Sequence, residues 1–404
     1  MIAAIKPVFL AMMRNRAGPI LVAFQIAVAL AVLVNAVYIA EQRVAKINRP
    51  TGIDEANLFS LTSVGFGSRF NAEASVREDL AYIRGMPGVV AASRITSAPL
   101  SQGGSLTALS TRPDYHGTNL TIAYYEMDEA GLATLGVPLL EGREFRRDEI
   151  LPPSTTQART LGASGIIVTQ SLAHALFPGE GALGRTVYFD NHAVKIIGII
   201  RNMAGPGWPP NFVSFYNLVL IPRLPAGTTY LVRTAPGRRD AVMRTVQDHL
   251  ATSNPDRVIE DVHTLDFFRR LLYMQDRNMA IFLLTVTTLL VAISCVGVFG
   301  LVTFNVARRT KQIGTRRAVG ARRADIIRYF MVENALITTA GVVTGCALAL
   351  GAGYWLSTRL LLPRLDLYYL VGGVLVLWSI SQLAAWHPAR RAATVPPSVA
   401  TRTV

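Results

Sequence analysis

The stretch NMAIFLLTVTTLLVAISCVGVFGLVTFNVA, residues 278–307, decides the fold class because it contains no Asp, Glu, Lys, Arg or His. A helix needs about 20 residues to cross a hydrocarbon core of about 30 Å. Three further stretches, residues 19–40, 334–358 and 367–386, are equally free of charge, and each has 20 residues or more. A buried helix of a soluble protein rarely lacks charge over such a length. The sequence therefore predicts an α-helical polytopic membrane protein with four transmembrane helices.

The overall composition agrees with that class. Of 404 residues, 51% are hydrophobic and only 16% are charged, and the mean hydropathy is +0.34. These values exclude a disordered chain. The two cysteines, both inside predicted spans, exclude a disulfide framework. A net charge of +14 is the one value that would suggest a nucleic-acid partner.

The distribution of the positive charge along the chain argues against a nucleic-acid partner. Segments 1–18, 308–333 and 387–404 together hold 14 basic and two acidic residues, whereas segment 41–277 holds 24 basic and 23 acidic residues. Basic residues accumulate in loops on the cytoplasmic side of a membrane. We therefore expect both termini and residues 308–333 to be cytoplasmic, residues 41–277 to be extracytoplasmic, and no nucleic acid to be bound.

The predicted organisation follows from these boundaries. In chain order it comprises an interfacial N-terminal helix (1–18), span one (19–40), a large outer domain (41–277), span two (278–307), a cytoplasmic loop (308–333), span three (334–358), a short outer loop (359–366), span four (367–386) and a cytoplasmic tail (387–404).

The outer domain is predicted to have an α+β fold. Strand-helix-strand patterns near 57–95 and 229–264 form two βαβ-like halves that bracket an inserted module near 100–225. An amphipathic stretch at 265–277 predicts a stalk helix that enters span two without a break, because no proline interrupts it.

We find no residue pattern typical of catalysis. The six histidines are scattered, without the spacing of metal ligands. Residues 179–186 approach the phosphate-loop pattern, but Arg185 replaces its lysine and the segment follows a predicted helix, so a turn is expected. The prediction is therefore a chain that is not an enzyme and has no catalytic residues, cofactor or metal.

Polar and small residues within the spans predict helix packing. Gln25 and Asn35 are the polar residues of span one, and polar side chains in lipid usually hydrogen-bond to another helix. Gly341 and Gly345 have the spacing that lets two helices approach closely. From sequence, a contact within the chain and a dimer seam remain equal alternatives.

The cytoplasmic loop contains the most informative short segment, RRTKQIGTRRAVGARRADIIRYF, residues 308–330. A loop that only determined topology would need Lys and Arg alone. Here apolar residues recur among the basic ones and predict short amphipathic helices broken at Gly320. Such helices suit docking into a groove on a partner.

This segment resembles the loop of the FtsX-like, or MacB-type, ABC transporter permease family, R-x-x-E-I-G-x-x-R-A-x-G-A-x-x-x-x-I. Gln312 stands where the family usually has Glu. Residues 132–145, 176–185 and 388–397 resemble further motifs of the family, in the same order along the chain. The matching loop positions are Arg309, Ile313, Gly314, Arg317, Ala318, Gly320, Ala321 and Ile326.

The resemblance implies a function that the residues alone do not. It implies a permease subunit in a bacterial inner membrane that dimerises with a second copy or a paralogue and works with a separate cytoplasmic ABC ATPase. It also implies export or extraction of a substrate, with a periplasmic adaptor as a further partner and with lipids around the spans. The alternative is a non-transporting scaffold that activates a periplasmic partner such as a cell-wall hydrolase. The residues expected to couple to the ATPase are Arg309, Gln312, Ile313, Gly314, Arg316, Arg317, Gly320 and Ile326.

Overall fold

The computed structural model describes residues 17–115, 117–153, 162–189, 191–207, 216–360 and 365–394. The predicted interfacial helix lies almost entirely outside the described residues, as does half of the short outer loop. The helices are α1 (Ala17–Ile47), α2 (Ala72–Gly85), α3 (Gly131–Leu135), α4 (Gln170–Leu176), α5 (Arg239–Ser253), α6 (Leu265–Leu272), α7 (Met274–Arg308), α8 (Thr310–Ala318), α9 (Arg323–Leu360) and α10 (Leu367–Ala393). The strands are β1 (Leu58–Gly65), β2 (Val89–Ile95), β3 (Ser105–Ser110), β4 (Asn119–Met127), β5 (Leu139–Gly142), β6 (Ile166–Thr169), β7 (Thr186–Phe189), β8 (His192–Ile200), β9 (Leu218–Pro222), β10 (Thr229–Thr234) and β11 (Arg257–Thr264).

The chain divides into two compact units. Arg49–Met274 forms the outer unit, and the chain on either side of it forms the membrane unit. Within the membrane unit, α1, α7, α9 and α10 are long and apolar enough to span a membrane. Four such helices with an α+β unit inserted between the first two confirm the predicted fold class.

All four helices are longer than the charge-free runs within them. The 38 residues of α9 correspond to about 57 Å at 1.5 Å per residue, well beyond a ~30 Å hydrocarbon core. Its first turns therefore come from the predicted cytoplasmic loop. Likewise α10 continues to Ala393, so the start of the predicted tail is helical.

The core of the membrane unit is formed chiefly by α1, α9 and α10. Ile26 and Leu30 of α1 are buried, as are Ile337 of α9 and Leu377 of α10, and all four belong to one apolar cluster. In contrast, only 17% of the residues in the most apolar 18-residue stretch of α7 are buried. Lipid-facing side chains account for such exposure in a spanning helix, because lipid tails are as apolar as leucine.

The first half of the outer unit is a split βαβ sheet. Its strands lie in the order β11-β1-β10-β2, and each neighbouring pair is antiparallel. Helices α2 and α5 pack on one face of this sheet. Their buried residues Val76, Ile83, Val246 and Leu250 join Phe59 in one cluster. Two interleaved βαβ segments form this arrangement.

The second half of the outer unit is a small closed barrel. Its strands follow the order β4-β3-β7-β8-β6-β9, and β9 then pairs in parallel with β4 to close the ring. Closure leaves no free sheet edge among these strands. The ladder between the barrel and the split sheet is the pairing of β2 with β4 at Ile95 and Met127.

The predicted unbroken stalk at 265–277 is wrong in one respect. Helix α6 ends at Leu272, and Tyr273, with φ −98° and ψ 8°, separates it from α7. No proline or glycine causes this break. Helix α6 is amphipathic and buries Leu265, whereas α7 is free of charge from Asn278 to Ala307. Tyr273 itself is almost fully buried, with 2% of its surface exposed.

Candidate functional site

The candidate site is the segment that joins α7 to α9, where α8 lies between two tight turns. Helix α8 ends in a Schellman motif. The Ala321 N–H donates to the Arg316 carbonyl over 3.0 Å, and the Gly320 N–H donates to the Arg317 carbonyl over 3.2 Å. This motif needs a left-handed residue, and Gly320 has φ +101°. The break predicted at Gly320 is therefore present.

The start of α9 is held in a similar way. The Asp325 carboxylate accepts a hydrogen bond from the Arg322 N–H over 3.0 Å, which satisfies a free donor at the helix start. In the first two turns of α9, Ile326 and Phe330 are buried in the apolar core of the membrane unit. Val319 lies between the end of α8 and Gly320, and 85% of its surface is exposed.

A cavity of about 130 Å³ lies between α8 and the first two turns of α9. Its rim is polar and its floor is apolar. The lining residues are Arg309, Gln312, Ile313, Arg316, Ala321, Asp325, Ile326, Tyr329 and Phe330.

Two arginines of the cavity meet at one aromatic ring. Arg309 donates to the Tyr329 hydroxyl over 2.7 Å and to the Glu333 carboxylate over 3.0 Å. The Arg316 guanidinium lies 5.3 Å from the centre of the same ring, a cation–π distance. Glu333 is 95% buried at its side chain, so Arg309 supplies the countercharge that its burial requires.

The structure thus brings together five of the eight residues expected to couple to an ATPase. Arg309, Gln312, Ile313, Arg316 and Ile326 all line the cavity. The other three do not line the cavity. Gly314 is buried within α8, Gly320 forms the turn, and Arg317 lies outside the lining.

Glu333 and Tyr329 are functional-site residues that sequence reasoning missed. Glu333 is one of only two acidic residues in segment 308–333. A carboxylate directly next to a charge-free span needs a cationic partner. The position of Glu333 before Asn334 was therefore the signal in the sequence that could have identified it.

The residues expected at helix contacts lie between helices of the membrane unit. A Cβ on Gly341 would come within 2.7 Å of the Ala23 carbonyl, and one on Gly345 within 3.0 Å of the Ala27 carbonyl, so both glycines face α1 of the same chain. Gln25 packs against α7 at Gly297.

Asn35 forms its hydrogen bonds within the same contact. Its amide donates to the Ala31 carbonyl over 2.9 Å and to the Ala349 carbonyl over 3.1 Å, which links α1 to α9. A polar contact that sequence reasoning did not assemble joins α9 to α10. There Thr338 and Ser381 hydroxyls are 2.7 Å apart, and Asn334 donates to the Ser381 carbonyl.

A charged cluster lies at the opposite end of α1 and α7 from α8. Asp276, in the first turn of α7, accepts from Arg43 over 2.5 Å and from Lys46 over 2.8 Å. The Asp276 side chain is 92% buried and shared between both cations. The cluster therefore ties the end of the first span to the start of the second.

The motif at 132–145 has a structural role in the outer unit. Gly142, with φ +81°, passes so close to the Ile197 carbonyl that a Cβ would lie 2.2 Å from it. This approach positions Arg143, whose two terminal nitrogens bind both oxygens of Glu149 over 2.7 and 2.6 Å. These bonds lower the pKa of Glu149 to about 2, although its partial burial acts in the opposite direction.

Curated relatives resemble this chain over less than half of their own length. The macrolide export ATP-binding/permease protein MacB of Neisseria meningitidis is 24% identical over 300 residues, which are 70% of this chain and 42% of the relative. The protein of the same name from Campylobacter jejuni is 28% identical over 240 residues, which are 55% of this chain and 36% of the relative. The chain thus spans about two fifths of the length of the curated relatives that it matches.

Solved structures and family models give the remaining comparisons. The periplasmic region of MacB from Actinobacillus actinomycetemcomitans covers 56% of this chain and 97% of its own, at 15% identity and a TM-score of 0.35. Residues 284–397 match the FtsX-like permease C-terminal family. Residues 21–253, more than half of the chain, match the MacB-like periplasmic core domain. The resemblance noted in the sequence is confirmed, and the chain belongs to the FtsX-like permeases that carry a MacB-like periplasmic core domain.

Proposed function

We propose that this chain is the permease subunit of a MacB-type ABC exporter. In this proposal a separate cytoplasmic ATPase moves α8, and the spans pass that motion to the outer unit, which exports or extracts a periplasmic or membrane substrate. Family membership supports the class of function. The names of the curated relatives, which are export proteins with ATP-binding and permease parts, support the pairing with an ATPase.

The observation that carries the proposal is the exposed tip between α8 and α9. Val319 projects an apolar side chain from a turn that the Schellman motif fixes, within a segment of eight basic and two acidic residues. A rigid apolar tip with basic surroundings is complementary to an apolar groove with an acidic rim. The segment leads directly into α7 and α9, so displacement of α8 would act on two spans at once.

The polar residues of the spans favour transmission over a pore. Asn35, Asn334, Thr338 and Ser381 are buried and hydrogen-bonded between helices. A hydrophilic path would need polar groups that face a lumen, because an unsatisfied polar group in hydrocarbon costs several kcal/mol. These side chains instead hold the helices together.

A photo-crosslinking amino acid at Val319 tests the docking. In living cells of the source organism, the crosslinked product should contain an ABC ATPase, identified by its peptides in mass spectrometry. The matched control is Val343, which is 65% exposed on the spanning part of α9 and should yield no ATPase adduct. Absence of an ATPase adduct at Val319, or equal yields at both positions, would contradict the proposal.

A further inference from the structure

We propose that the cavity between α8 and α9 binds the phosphate headgroup of an anionic phospholipid from the adjacent leaflet. No ATPase is needed for such a site. The inference therefore stands apart from the proposed docking at Val319.

The chemistry of the cavity matches an amphiphilic anion. Its rim offers the guanidinium groups of Arg309 and Arg316 and the amide of Gln312, all of which donate hydrogen bonds to phosphate oxygens. Its floor, formed by Ile313, Ile326 and Phe330, suits the glycerol and the first methylenes of an acyl chain. The volume of about 130 Å³ has room for several water molecules and hence for a phosphate group.

The charges around the cavity leave one arginine without a countercharge. Glu333 neutralises Arg309, and the Asp325 carboxylate, which also lines the cavity, caps the Arg322 N–H. Among the described residues, no carboxylate comes within ion-pair distance of Arg316, whose guanidinium contacts the Tyr329 ring. Since segment 308–333 carries no other acidic residue, the local field favours an anion.

The depth of the cavity favours a lipid over a soluble anion. Charge-free sequence on α9 begins at Asn334, and Phe330 and Ile326 precede it by about 6 and 12 Å at 1.5 Å per residue. The polar layer on each side of a bilayer is about 5 to 8 Å thick. The floor of the cavity thus begins at headgroup level, and basic pockets at the ends of spanning helices are known to suit anionic headgroups.

Native mass spectrometry of the full chain, purified in detergent without any ATPase, measures the binding. The probes are phosphatidylglycerol and phosphatidylcholine with identical acyl chains, and sn-glycerol phosphate as the soluble anion. We expect phosphatidylglycerol adducts in excess over phosphatidylcholine adducts, and no adduct with sn-glycerol phosphate. Equal adducts of the two lipids would overturn the proposal, and binding of sn-glycerol phosphate alone would replace the lipid with a soluble anion.

Two variants locate the binding. Arg316→Gln should lower the affinity for phosphatidylglycerol about tenfold, the effect of losing one charge-assisted hydrogen bond. Arg323→Gln removes the same charge from the exposed start of α9 outside the cavity and should change the affinity less than twofold. If both variants lose affinity for phosphatidylglycerol equally, the lipid is attracted by the overall positive charge of the segment. That result would overturn the proposed site.

A third variant fills the cavity without a change of charge. Ala321→Phe should abolish the phosphatidylglycerol preference, while circular dichroism shows unchanged helix content. The competing occupant is an ATPase side chain. If Arg316→Gln abolishes crosslinking at Val319 but leaves phosphatidylglycerol binding intact, the cavity binds an ATPase side chain. The proposed lipid site is then wrong.

Discussion

Buried charge in the outer unit shows how single residues hold two elements together. Arg257 at the start of β11 binds Asp79 of α2 over 2.6 Å, and the Tyr230 hydroxyl of β10 donates to the same carboxylate over 2.7 Å. Arg257 and Asp79 are almost fully buried. Removal of one partner from such a pair is costly, because the other charge then remains buried alone.

We expect the Arg143–Glu149 pair to make the stability of the outer unit depend on pH in the acid range. The pKa of Glu149 lies at about 2 when folded, below its ordinary 4.5, so its contribution to stability is complete above pH 4.5 and is lost as the pH falls towards 2. Glu149→Gln removes this titration. We expect the variant to lose less thermal stability than the wild type between pH 5 and pH 3, measured by thermal unfolding of the purified chain.

The exposed Glu144 is the matched control for this prediction. Glu144→Gln should leave the acid-induced loss as large as in the wild type. An equal loss in Glu149→Gln would show that the pair does not govern the acid response.

Residue roles were predictable from sequence only where the local pattern was strong. Gly320 follows a helix and precedes another, so its position in a break was readable from the chain. The partner of Arg309 was not, because Glu333 lies 24 residues away and only the fold of α8 between them brings the two together.

At the scale of elements, the contact between α1 and α9 depends on glycine. Gly341→Ala places a methyl group 2.7 Å from the Ala23 carbonyl and should destabilise the membrane unit by about 1 to 3 kcal/mol through overpacking. Gly351 lies on the same helix with nothing within 4 Å of its added Cβ. There the change to Ala should stabilise the helix by about 0.5 to 1 kcal/mol.

Thermal unfolding of both variants in the same detergent measures the two effects. Opposite shifts of the unfolding temperature are expected. A rise for Gly341→Ala would mean that α1 and α9 do not touch at this point in the membrane.

Elements were predictable to different degrees for a physical reason. A charge-free run is a one-dimensional property, so all four spans were visible in the sequence. The break at Tyr273 was not, because no Pro or Gly marks it in the sequence. Closure of the barrel through β4 and β9 was also invisible, since it pairs strands about 95 residues apart, for example Ala123 with Leu218.

At the scale of the whole molecule, aromatic residues mark two membrane levels on α10. Tyr368 is exposed at its start, and Trp386 is exposed near its end beside Arg390. The two residues are 18 positions apart, which corresponds to about 27 Å, close to the ~30 Å of a hydrocarbon core. Aromatic residues concentrate at both interfaces of a bilayer. The pattern therefore fits a single crossing with Arg390 at one face.

Accessibility of introduced cysteines tests the predicted orientation. With Cys295 and Cys346 replaced by alanine, Ala251→Cys on α5 should react with a membrane-impermeant thiol reagent in spheroplasts. Thr315→Cys on α8 should react only after the membrane is permeabilised, because the positive-inside rule assigns segment 308–333 to the cytoplasm. The reverse labelling pattern would invert the topology and remove α8 from the reach of a cytoplasmic ATPase.

The break at Tyr273 has a mechanical consequence for any force that reaches it through α7. A continuous helix resists both torsion and compression, because every turn is hydrogen-bonded to the next. One residue outside the helical conformation interrupts that bonding between α6 and α7. We therefore expect this connection to transmit less torque from α7 to α6 than a continuous helix would.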